Sequence, residues 1–539
     1  MNAERDSATP PGAAPSDLRY GVFSDLGPWQ IDPDHLAWRP GLDHVRRAVR
    51  AEVPLLVKPR LLPPGRRLAA TARHLGLAVA AWRLGKKRHQ GRDESIADLS
   101  LRLRRAAERL GPSYIKLGQI ISAGEGVFPE ALVAEFKRCR DQVPPEPFAA
   151  VRRVVEEDLR RPLEEVFSSF DREPVAAASI AQVHAATLCT GEAVVVKVQR
   201  PGVARLVRED LAVMAWIAPR LVGRIPVAAL ANPPALVELF AETISEELDF
   251  RLEAENMLDL ARSYAELGQR TYVVPRPHPT LVTPRVLVME RLSGFAFDDV
   301  AGMQGAGVDT AALVRAGMIG FLEGAMLTGI FHGDLHGGNL FVLPDGRTAL
   351  LDFGITGRLD GSRRRAFLRL LVGATTNDVR SQMAALRDLG ALPADTDLET
   401  VIADLGLDRP PVDPTTLSPD ELVAEIQRTV KALLGYGARL PKELMLFVKN
   451  LVFLDSTIAT LAPDLDLFAE IAHIATYFAV AHGARIAGDV GVDPRSQTLD
   501  LSGVKASFGV DAERETLTYR DLQARRALIR ERLAKRKKG

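Results

Sequence analysis

Two short polar stretches carry residue types that bind metal ions and move protons. FHGDLHGGNLFV contains Asp334 and Asn339, and LLDFG follows with Asp352. Carboxylate and amide oxygens are ligands that hard divalent cations such as Mg²⁺ prefer. Asp-x-x-x-x-Asn followed by Asp-Phe-Gly is the order found in phosphoryl-transfer enzymes. We therefore predict that Asp334 orients or deprotonates a nucleophile, while Asn339 and Asp352 hold Mg²⁺ against phosphates. For either stretch alone, a capped polar turn is the competing interpretation.

A lysine interrupts an otherwise apolar strand, VVVKVQRPG, at Lys197. Burying an unpaired ammonium costs several kcal/mol, so Lys197 should have an acidic partner. EELDFRLEAEN offers several acids, and on a regular helix Glu246, Asp249 and Glu253 share one face. We predict that Glu253 pairs with Lys197 and that Lys197 contacts nucleotide phosphates. The alternatives are an edge strand with an exposed lysine and a solvated acidic face.

A turn of small residues, PVAAASIAQVH, precedes the strand of Lys197. Small side chains let backbone N–H groups approach an anion, and alanine allows fewer conformations than glycine. We predict that Ala176, Ala177, Ala178 and Ser179 lie over the phosphates of a nucleotide. A small-residue turn packed on a core is the alternative.

The elements around these residues change type along the chain. Strand signals between residues 175 and 294 are QVHAAT, AVVVKV, TYVV and RVLVME, interrupted by helical patterns at 203–222 and 234–268. Beyond residue 294 the pattern is mainly helical, except for LFVL and ALLDF, which flank PDGR and predict a hairpin. The sequence therefore predicts an α+β, two-lobed, kinase-like fold with a β-rich N lobe and a helical C lobe.

Composition excludes several classes of protein. Of 539 residues, 47% are hydrophobic and 26% charged, which indicates a globular chain. Lys plus Arg equals Asp plus Glu, at 69 each, so no overall basic charge suggests a nucleic-acid partner. Two cysteines cannot form a disulfide framework and fit a reducing cytoplasm. We recognise no signal peptide and no apolar run long enough for a transmembrane helix, so we expect a cytoplasmic protein.

Basic segments lie near both ends of the chain. Residues 66–88 and the C-terminal tail are rich in Lys and Arg, and both predict helices that could lie on the inner face of an anionic membrane. Solvated basic helices are the alternative. Residues 1–40 are polar and proline-rich at their start, and we expect them to be loosely ordered.

Taken together, these motifs resemble the UbiB/AarF family of atypical protein-kinase-like proteins, over roughly residues 100 to 470. The family's KxGQ motif corresponds to Lys116-Leu117-Gly118-Gln119, and its ExD motif to Glu247-Leu248-Asp249. The alanine-rich turn replaces a kinase glycine loop, and LPKELMLFVKNLVFLDSTIATLAPDLDL also matches. One departure is Gly337, where the family commonly has proline.

The resemblance implies a fold and a gated site. Family-specific N-terminal helices would pack over the active site, with Lys116 and Gln119 facing the acids Glu247 and Asp249. Lys116 would contact both acids, and the nucleotide would also contact Met289 and Glu290. The expected segments are 1–100, an extension partly disordered and then basic and helical; 101–165, the KxGQ helices; 166–295, the N lobe; 296–475, the C lobe; and 476–539, a basic helical tail.

The function implied is that of an ATP-binding, Mg²⁺-dependent atypical kinase or ATPase supporting isoprenoid-quinone (ubiquinone-like) lipid biosynthesis. Candidate partners are a nucleotide, a lipid or quinone precursor, an anionic membrane surface and a biosynthetic complex, with no nucleic acid. Two alternatives remain at this point. One is a small-molecule phosphotransferase of the aminoglycoside type, and the other is a nucleotide-binding scaffold without turnover.

Overall fold

The structure is a computed structural model of the 539-residue chain. It describes residues 16–58, 62–85, 91–123, 129–138, 144–221, 233–408, 435–438, 441–491, 493–495 and 516–536, with the single residues 432 and 505.

The N lobe is built on a six-stranded sheet in the order β1-β3-β4-β7-β6, with β2 paired to β3. All pairings in this sheet are antiparallel. Its strands are β1 Phe167–Phe170, β2 Ala176–Ala177, β3 Ala181–Leu188, β4 Ala193–Gln199, β6 Pro277–Val282 and β7 Val286–Glu290.

Alternation along β4 decides which side chains face the cleft. Val194, Val196 and Val198 point to one face and join a buried cluster under the first helix of the N lobe, Phe148–Leu159. Since successive side chains point to opposite faces of a strand, Lys197 and Gln199 face the other way, toward the acidic helix. Gln199 Nε2 donates to Leu248 O at 3.0 Å, and Lys197 reaches Glu253.

Eighteen α-helices lie in the described part of the chain. They are α1 Leu42–Leu56, α2 Gly65–Gly85, α3 Arg92–Leu110, α4 Pro112–Ala123, α5 Glu130–Phe136, α6 Phe148–Leu159, α7 Leu163–Val166, α8 Val203–Leu221, α9 Pro233–Glu247, α10 Phe250–Glu266, α11 Val300–Gly305, α12 Thr310–Glu323, α13 Gly361–Thr375, α14 Val379–Asp388, α15 Leu398–Leu405, α16 Lys442–Leu461, α17 Leu467–Val490 and α18 Tyr519–Arg536.

The single acidic helix expected over residues 234–268 is two helices. α9 ends at Glu247, and Asp249 has extended backbone angles and caps α10 by accepting from Arg251 N at 3.1 Å. Because an N-cap residue lies outside helical geometry, the face shared by Glu246, Asp249 and Glu253 does not exist. Glu246 instead faces Arg50 and Lys442, away from Lys197.

The C lobe carries two small sheets that present the polar loops. Strand β10, Leu340–Val342, pairs with β11, Thr348–Leu350, as the predicted hairpin. This sheet has the order β5-β11-β10-β8, and the second sheet pairs β9 with β12. The remaining strands are β5 Tyr272–Val273, β8 Phe295–Ala296, β9 Ile330–His332 and β12 Thr356–Arg358.

Residues 16–40 pack on the protein, so the expectation of loose order is wrong for them. Arg276 is 1% exposed, and its Nε donates to Asp17 Oδ2 at 2.7 Å while Nη2 donates to Ser24 O at 2.7 Å. Phe23 and Trp38 are also buried. A buried guanidinium needs anionic and carbonyl partners, and the N-terminal segment supplies them. Residues 1–15 lie outside the described residues.

Helix α4, which carries KLGQ, begins with Pro112 at its first position, where proline fits because that N–H has no helical partner. It lies against α5, and a Cβ at Gly118 would come 2.4 Å from the Phe136 ring. Tyr114 Oη and Thr71 Oγ1 are 2.8 Å apart, which ties α4 to α2. Glycine at position 118 thus allows the close helix packing that holds Lys116 in place.

Two described helices, Thr310–Thr328 and Lys442–Leu461, are long and apolar enough to cross a membrane by length and composition. The first is 67% buried in the protein. The second carries Asn450, which is fully buried and hydrogen-bonded to the loop of Asp334. The first is thus mostly buried inside the protein, and 39% of the second is buried.

Candidate active site

Lys197 lies between two carboxylates at the floor of the interlobe cleft. Its Nζ is 2.6 Å from Glu253 Oε1 and 3.3 Å from Asp352 Oδ2. Glu253 also accepts weakly from Phe353 N at 3.4 Å, and Asn256 on the same helix donates to Phe353 O at 2.9 Å. Helix α10 therefore holds both the lysine and the Asp-Phe-Gly turn.

The Asp334 loop (residues 332–339) is fixed by hydrogen bonds from its own residues. His332 Nδ1 accepts from Asp334 N at 3.1 Å, while His332 Nε2 contacts Asp352 O. Asn339 Nδ2 donates to Asp334 O at 3.1 Å. These bonds place Asp334, Asn339 and Asp352 on adjoining backbone segments, next to Lys197.

Two residues of α16 that sequence reasoning did not single out complete this loop. Lys449 Nζ contacts Asp334 Oδ1, and Asn450 bonds the backbone on either side, to His332 O and to Leu335 N. Both residues lie inside the quoted LPKELMLFVKNLVF stretch. A lysine and an asparagine side by side within an apolar helix were the available signal, because polar groups that become buried need polar partners.

Helix α4 brings Lys116 into the same cleft. Its Nζ is 2.9 Å from Glu247 Oε1, and Glu247 packs beside Gly354 of the Asp-Phe-Gly turn. The expected contact of Lys116 with both acids is wrong for Asp249. The carboxylate of Asp249 is 2.6 Å from Arg251 Nη2, and it also caps α10. Gln119 lies one turn further along α4, and it is half-buried.

The lysines and acids control each other's ionisation. Burial opposes the charged form of Asp352, but Lys197 and Lys116 outweigh it and hold its pKa well below the ordinary value. Burial acts the same way on Asp334, where Lys449 and Lys116 lower the pKa to about 2. Burial raises the pKa of Glu247, against the opposing effect of Lys116. The two aspartates are thus ionised at neutral pH.

The small-residue turn joins β2 and β3 as a tight hairpin. Ala176 and Ala177 pair with Val183 and Gln182, and Ala178 N donates to Ala181 O at 2.8 Å. Arg200 Nε donates to Ala178 O at 2.9 Å and fixes the turn from below. In the described backbone, non-glycine residues with left-handed φ are Arg160 and Asn377. This turn therefore needs no glycine, which explains how alanine and a buried Ser179 can form it.

Met289 and Glu290 end strand β7 next to β4. Met289 pairs with Val195, on the cleft-facing side of the sheet. The carboxylate of Glu290 accepts from Arg276 N at 3.1 Å and contacts Ser24, so it belongs to the network under the N-terminal segment. A nucleotide contact by Glu290 would therefore involve its backbone.

Comparisons with known proteins identify the family of the chain. Residues 138–386 match a family model described as the ABC1 atypical kinase-like domain. A protein of Mycobacterium tuberculosis is 38% identical over 376 residues, which cover 69% of this chain and 76% of that protein. The probable protein kinase UbiB of Pseudomonas fluorescens is 34% identical over 372 residues, covering 68% of this chain and 69% of the relative.

Two further proteins are similar to part of the chain. The chloroplastic protein ACTIVITY OF BC1 COMPLEX KINASE 1 of Arabidopsis thaliana is 32% identical over 71% of this chain and 56% of its own length. Among solved structures, the Rv3197–erythromycin complex from Mycobacterium tuberculosis aligns with a TM-score of 0.37 and 23% identity, over 69% of this chain and 98% of that one. From the two relatives that are matched over more than two thirds of their length, this chain is a member of the UbiB/AarF family of atypical kinase-like proteins.

Proposed function

We propose that the chain binds Mg²⁺-ATP in the cleft and transfers or hydrolyses the γ-phosphoryl group. The observation that carries the proposal is the position of Lys197 between Glu253 and Asp352, beside the Asp334 loop. A lysine paired with a helix acid, next to an Asp-Phe-Gly aspartate, is the arrangement that protein kinases require for activity. In this proposal Lys197 contacts the α and β phosphates, and Glu253 keeps its ammonium in place.

The oxygen donors suit Mg²⁺. Asp352 is ionised, and the amide of Asn339 donates through Nδ2 to Asp334 O, which leaves Oδ1 as the ligand atom. Among the described residues, no group of three or more His, Cys, Asp or Glu forms a metal site. Mg²⁺ held by one or two protein oxygens takes its other ligands from phosphates and water. Bound there, the ion would neutralise charge on the phosphates.

The other site residues have supporting roles in this proposal. Asp334 accepts the proton of the attacking hydroxyl or water. The Ala176–Ser179 turn covers the phosphates with backbone N–H groups, and the segment at Met289 and Glu290 contacts the base. Lys116, Gln119 and Glu247 form a gate on α4 and α9.

The position of helix α4 limits the size of the phosphoryl acceptor. Lys116 is held by Glu247 within the cleft, so α4 occupies space that a protein substrate would need. This favours water or a small acceptor over a protein. Family membership points to isoprenoid-quinone lipid metabolism. The competing functions are a small-molecule phosphotransferase and a scaffold without turnover. An assay of ATP turnover with quinone precursors and with aminoglycosides distinguishes them.

A membrane surface is the partner that we propose in addition. Helix α2 exposes Leu77 and Leu84, at 61% and 84%, and nearby Arg73 and Arg83 are also exposed. Leucines between arginines suit the boundary of an anionic membrane. We place the protein on the cytoplasmic face, where it would join a biosynthetic complex.

The proposal is tested at Asp352. Asp352→Asn removes a charged metal ligand, so we expect Mg²⁺-dependent ATP affinity, measured by titration calorimetry, to fall at least about tenfold. Asp345→Asn, at the exposed tip of the β10–β11 hairpin, is the matched control and should bind as wild type does. Equal Mg²⁺-ATP affinity in a folded Asp352→Asn protein would refute the metal assignment. A wild-type protein that binds no nucleotide would refute the function.

A further inference from the structure

Helix α16 contacts three residues of the Asp334 loop, His332, Asp334 and Leu335, although it lies 115 residues further along the chain. Asn450 is fully buried, and it binds the backbone before and after Asp334. Lys449, its neighbour, contacts the Asp334 carboxylate itself. The helix therefore fixes both the backbone of the loop and the direction of its acidic side chain.

The Asp334 loop, HGDLHGGN, contains no lysine or arginine. His332 uses both ring nitrogens in backbone contacts, with Asp352 O and with Asp334 N. His336 Nδ1 accepts from Gly338 N at 3.2 Å. A transferred phosphoryl group carries negative charge on its equatorial oxygens and is stabilised by fixed cations.

The other lysines of the cleft are paired elsewhere. Lys197 is held by Glu253 and Asp352, and Lys116 is held by Glu247. In the part of the chain that the structure describes, the ammonium group bonded to the Asp334 carboxylate is that of Lys449, whose side chain is 28% exposed. It is thus partly exposed and fixed at the residue that must meet the acceptor.

We propose that Lys449 supplies the cation that the Asp334 loop lacks, orienting Asp334 and contacting the phosphoryl group during transfer. This rests on the proposed phosphoryl-transfer function. The acceptor oxygen forms a bond to the γ-phosphorus while the bond from that phosphorus to the β,γ-bridging oxygen breaks. ADP leaves with the electron pair, and the acceptor proton passes to Asp334. Lys449 keeps its protons throughout.

The geometry of transfer brings Lys449 to the phosphoryl oxygens. The acceptor must lie within hydrogen-bond distance of Asp334, about 2.6–3.2 Å, and roughly 3–3.5 Å from the phosphorus. An ammonium on one oxygen of the same carboxylate, at the end of a flexible four-carbon chain, can reach the equatorial oxygens from there.

The experiment compares Lys449→Met, Lys449→Arg and the matched control Lys442→Met, which removes a lysine of similar exposure from the same helix. For each, titration calorimetry gives the affinity for Mg²⁺-ADP and for Mg²⁺-ADP with aluminium fluoride, which imitates the phosphoryl group in transfer. Turnover of Mg²⁺-ATP gives kcat and KM.

We expect Lys449→Met to lower kcat and the affinity for ADP with aluminium fluoride by about 10²-fold, because removing one donor to a transition state has effects of this size. KM and the affinity for ADP alone should stay within about twofold, since these states lack the phosphoryl group in transfer. Lys449→Arg should recover part of both losses, and Lys442→Met should behave as wild type.

Several results would overturn the proposal. Higher kcat in Lys449→Met would show that the ion pair inhibits the enzyme, and equal losses for both ADP ligands would show a structural role. If Lys449→Met keeps the wild-type preference for ADP with aluminium fluoride over ADP alone, Lys449 does not contact the phosphoryl group. If the wild-type protein binds no nucleotide, both the proposed function and this inference are refuted. If it binds both ADP ligands, the proposed function stands, and the Lys449 variants alone decide the inference.

Discussion

At the scale of single residues, the site depends on how Lys116 and Glu247 are paired. Glu247 is 5% exposed, and the 2.9 Å pair with Lys116 offsets its burial. Burial opposes the charged form of Lys116, but Glu247, Asp334 and Asp352 together raise its pKa. Lys116 therefore interacts electrostatically with Asp334 and Asp352 as well as with Glu247.

Removing Lys116 should have two effects. Lys116→Ala leaves Glu247 buried without its cation, so the free energy of unfolding should fall by about 3 kcal/mol, as for other broken buried pairs. Turnover of ATP should change as well, because two acids then face the nucleotide without this charge. Urea denaturation and a phosphate-release assay measure the two effects.

The controls for Lys116 come from the same chain. Adding Glu247→Gln to Lys116→Ala should restore most of the lost stability, because the buried charge is gone. Arg205→Ala breaks an exposed i,i+4 pair with Glu209 and should change stability by less than about 0.5 kcal/mol. Wild-type stability and turnover in Lys116→Ala would mean that KLGQ serves only in packing.

At the scale of elements, the break between α9 and α10 assigns the acids to different tasks. Glu247 ends α9 and meets Lys116, whereas Asp249 caps α10 and Glu253, in the first turn of α10, meets Lys197. On one continuous helix Asp249 and Glu253 would have shared a face with Glu246, and Glu247 would have pointed away from it. The cap thus lets one short acidic stretch serve both lysines.

Helix α2 is the element that we expect to meet a membrane. Trp82 does not face outward as a membrane residue would, because its Nε1 donates to Ser95 O at 2.9 Å on α3. The exposed leucines are Leu77 and Leu84. Membrane binding by α2 should therefore depend on these leucines and on the arginines around them.

A vesicle experiment tests this surface. Sedimentation with anionic vesicles should exceed that with neutral vesicles and fall as salt rises, because the Debye length shrinks from about 10 Å at 0.1 M to 3 Å at 1 M. The double variant Leu77→Glu/Leu84→Glu should reduce binding, whereas Val480→Glu, at an exposed valine on α17, should not. Equal, salt-independent recovery with both vesicle types would contradict the assignment.

At the scale of the whole molecule, the N-terminal segment holds the back of the N lobe. Trp38 Nε1 donates to His278 O at 3.1 Å, and Trp29 packs edge-on against the His278 ring, with centroids 4.9 Å apart. His278 Nδ1 accepts from Thr280 N and Leu281 N, each at 3.1 Å. Burial lowers the pKa of His278 to about 4.

Acid should therefore loosen this segment. The unfolded chain protonates His278 near its ordinary pKa of about 6.5, while the folded chain does so only near 4. The stabilisation is present above pH 6.5 and is lost as pH falls toward 4. Between pH 7 and pH 5 the free energy of unfolding should fall by up to about 2 kcal/mol because of His278.

The measurement is urea denaturation at pH 7 and pH 5. His278→Asn, whose Oδ1 can accept the same backbone bonds without titrating, should lose less stability between the two pH values than wild type. His473→Asn, at an exposed histidine on α17, is the control. The same pH-dependent loss in His278→Asn as in wild type would rule out this histidine as the cause.

The sequence by itself determined the family, the two-lobed α+β fold and the order of the chemical residues. These depend on local patterns: the apolar strand VVVKVQ with its single lysine, the hairpin around PDGR and the spacing within HGDLHGGN. The pairing of Lys197 with an acid also followed, because a lysine in an apolar strand needs one. Whether these residues bind and transfer phosphate stays a prediction.

Only the tertiary structure decided which distant residues meet. Lys449 reaches Asp334 from 115 residues away, and Arg276 binds Asp17 from 259 residues away. No local periodicity encodes such contacts, because they depend on how helices and segments pack around buried charges. The partner of Asp249 was also decided by the fold: its carboxylate caps α10 and pairs with Arg251, and not with Lys116 as expected. Burial of a charge requires a partner, but the fold determines which partner it is.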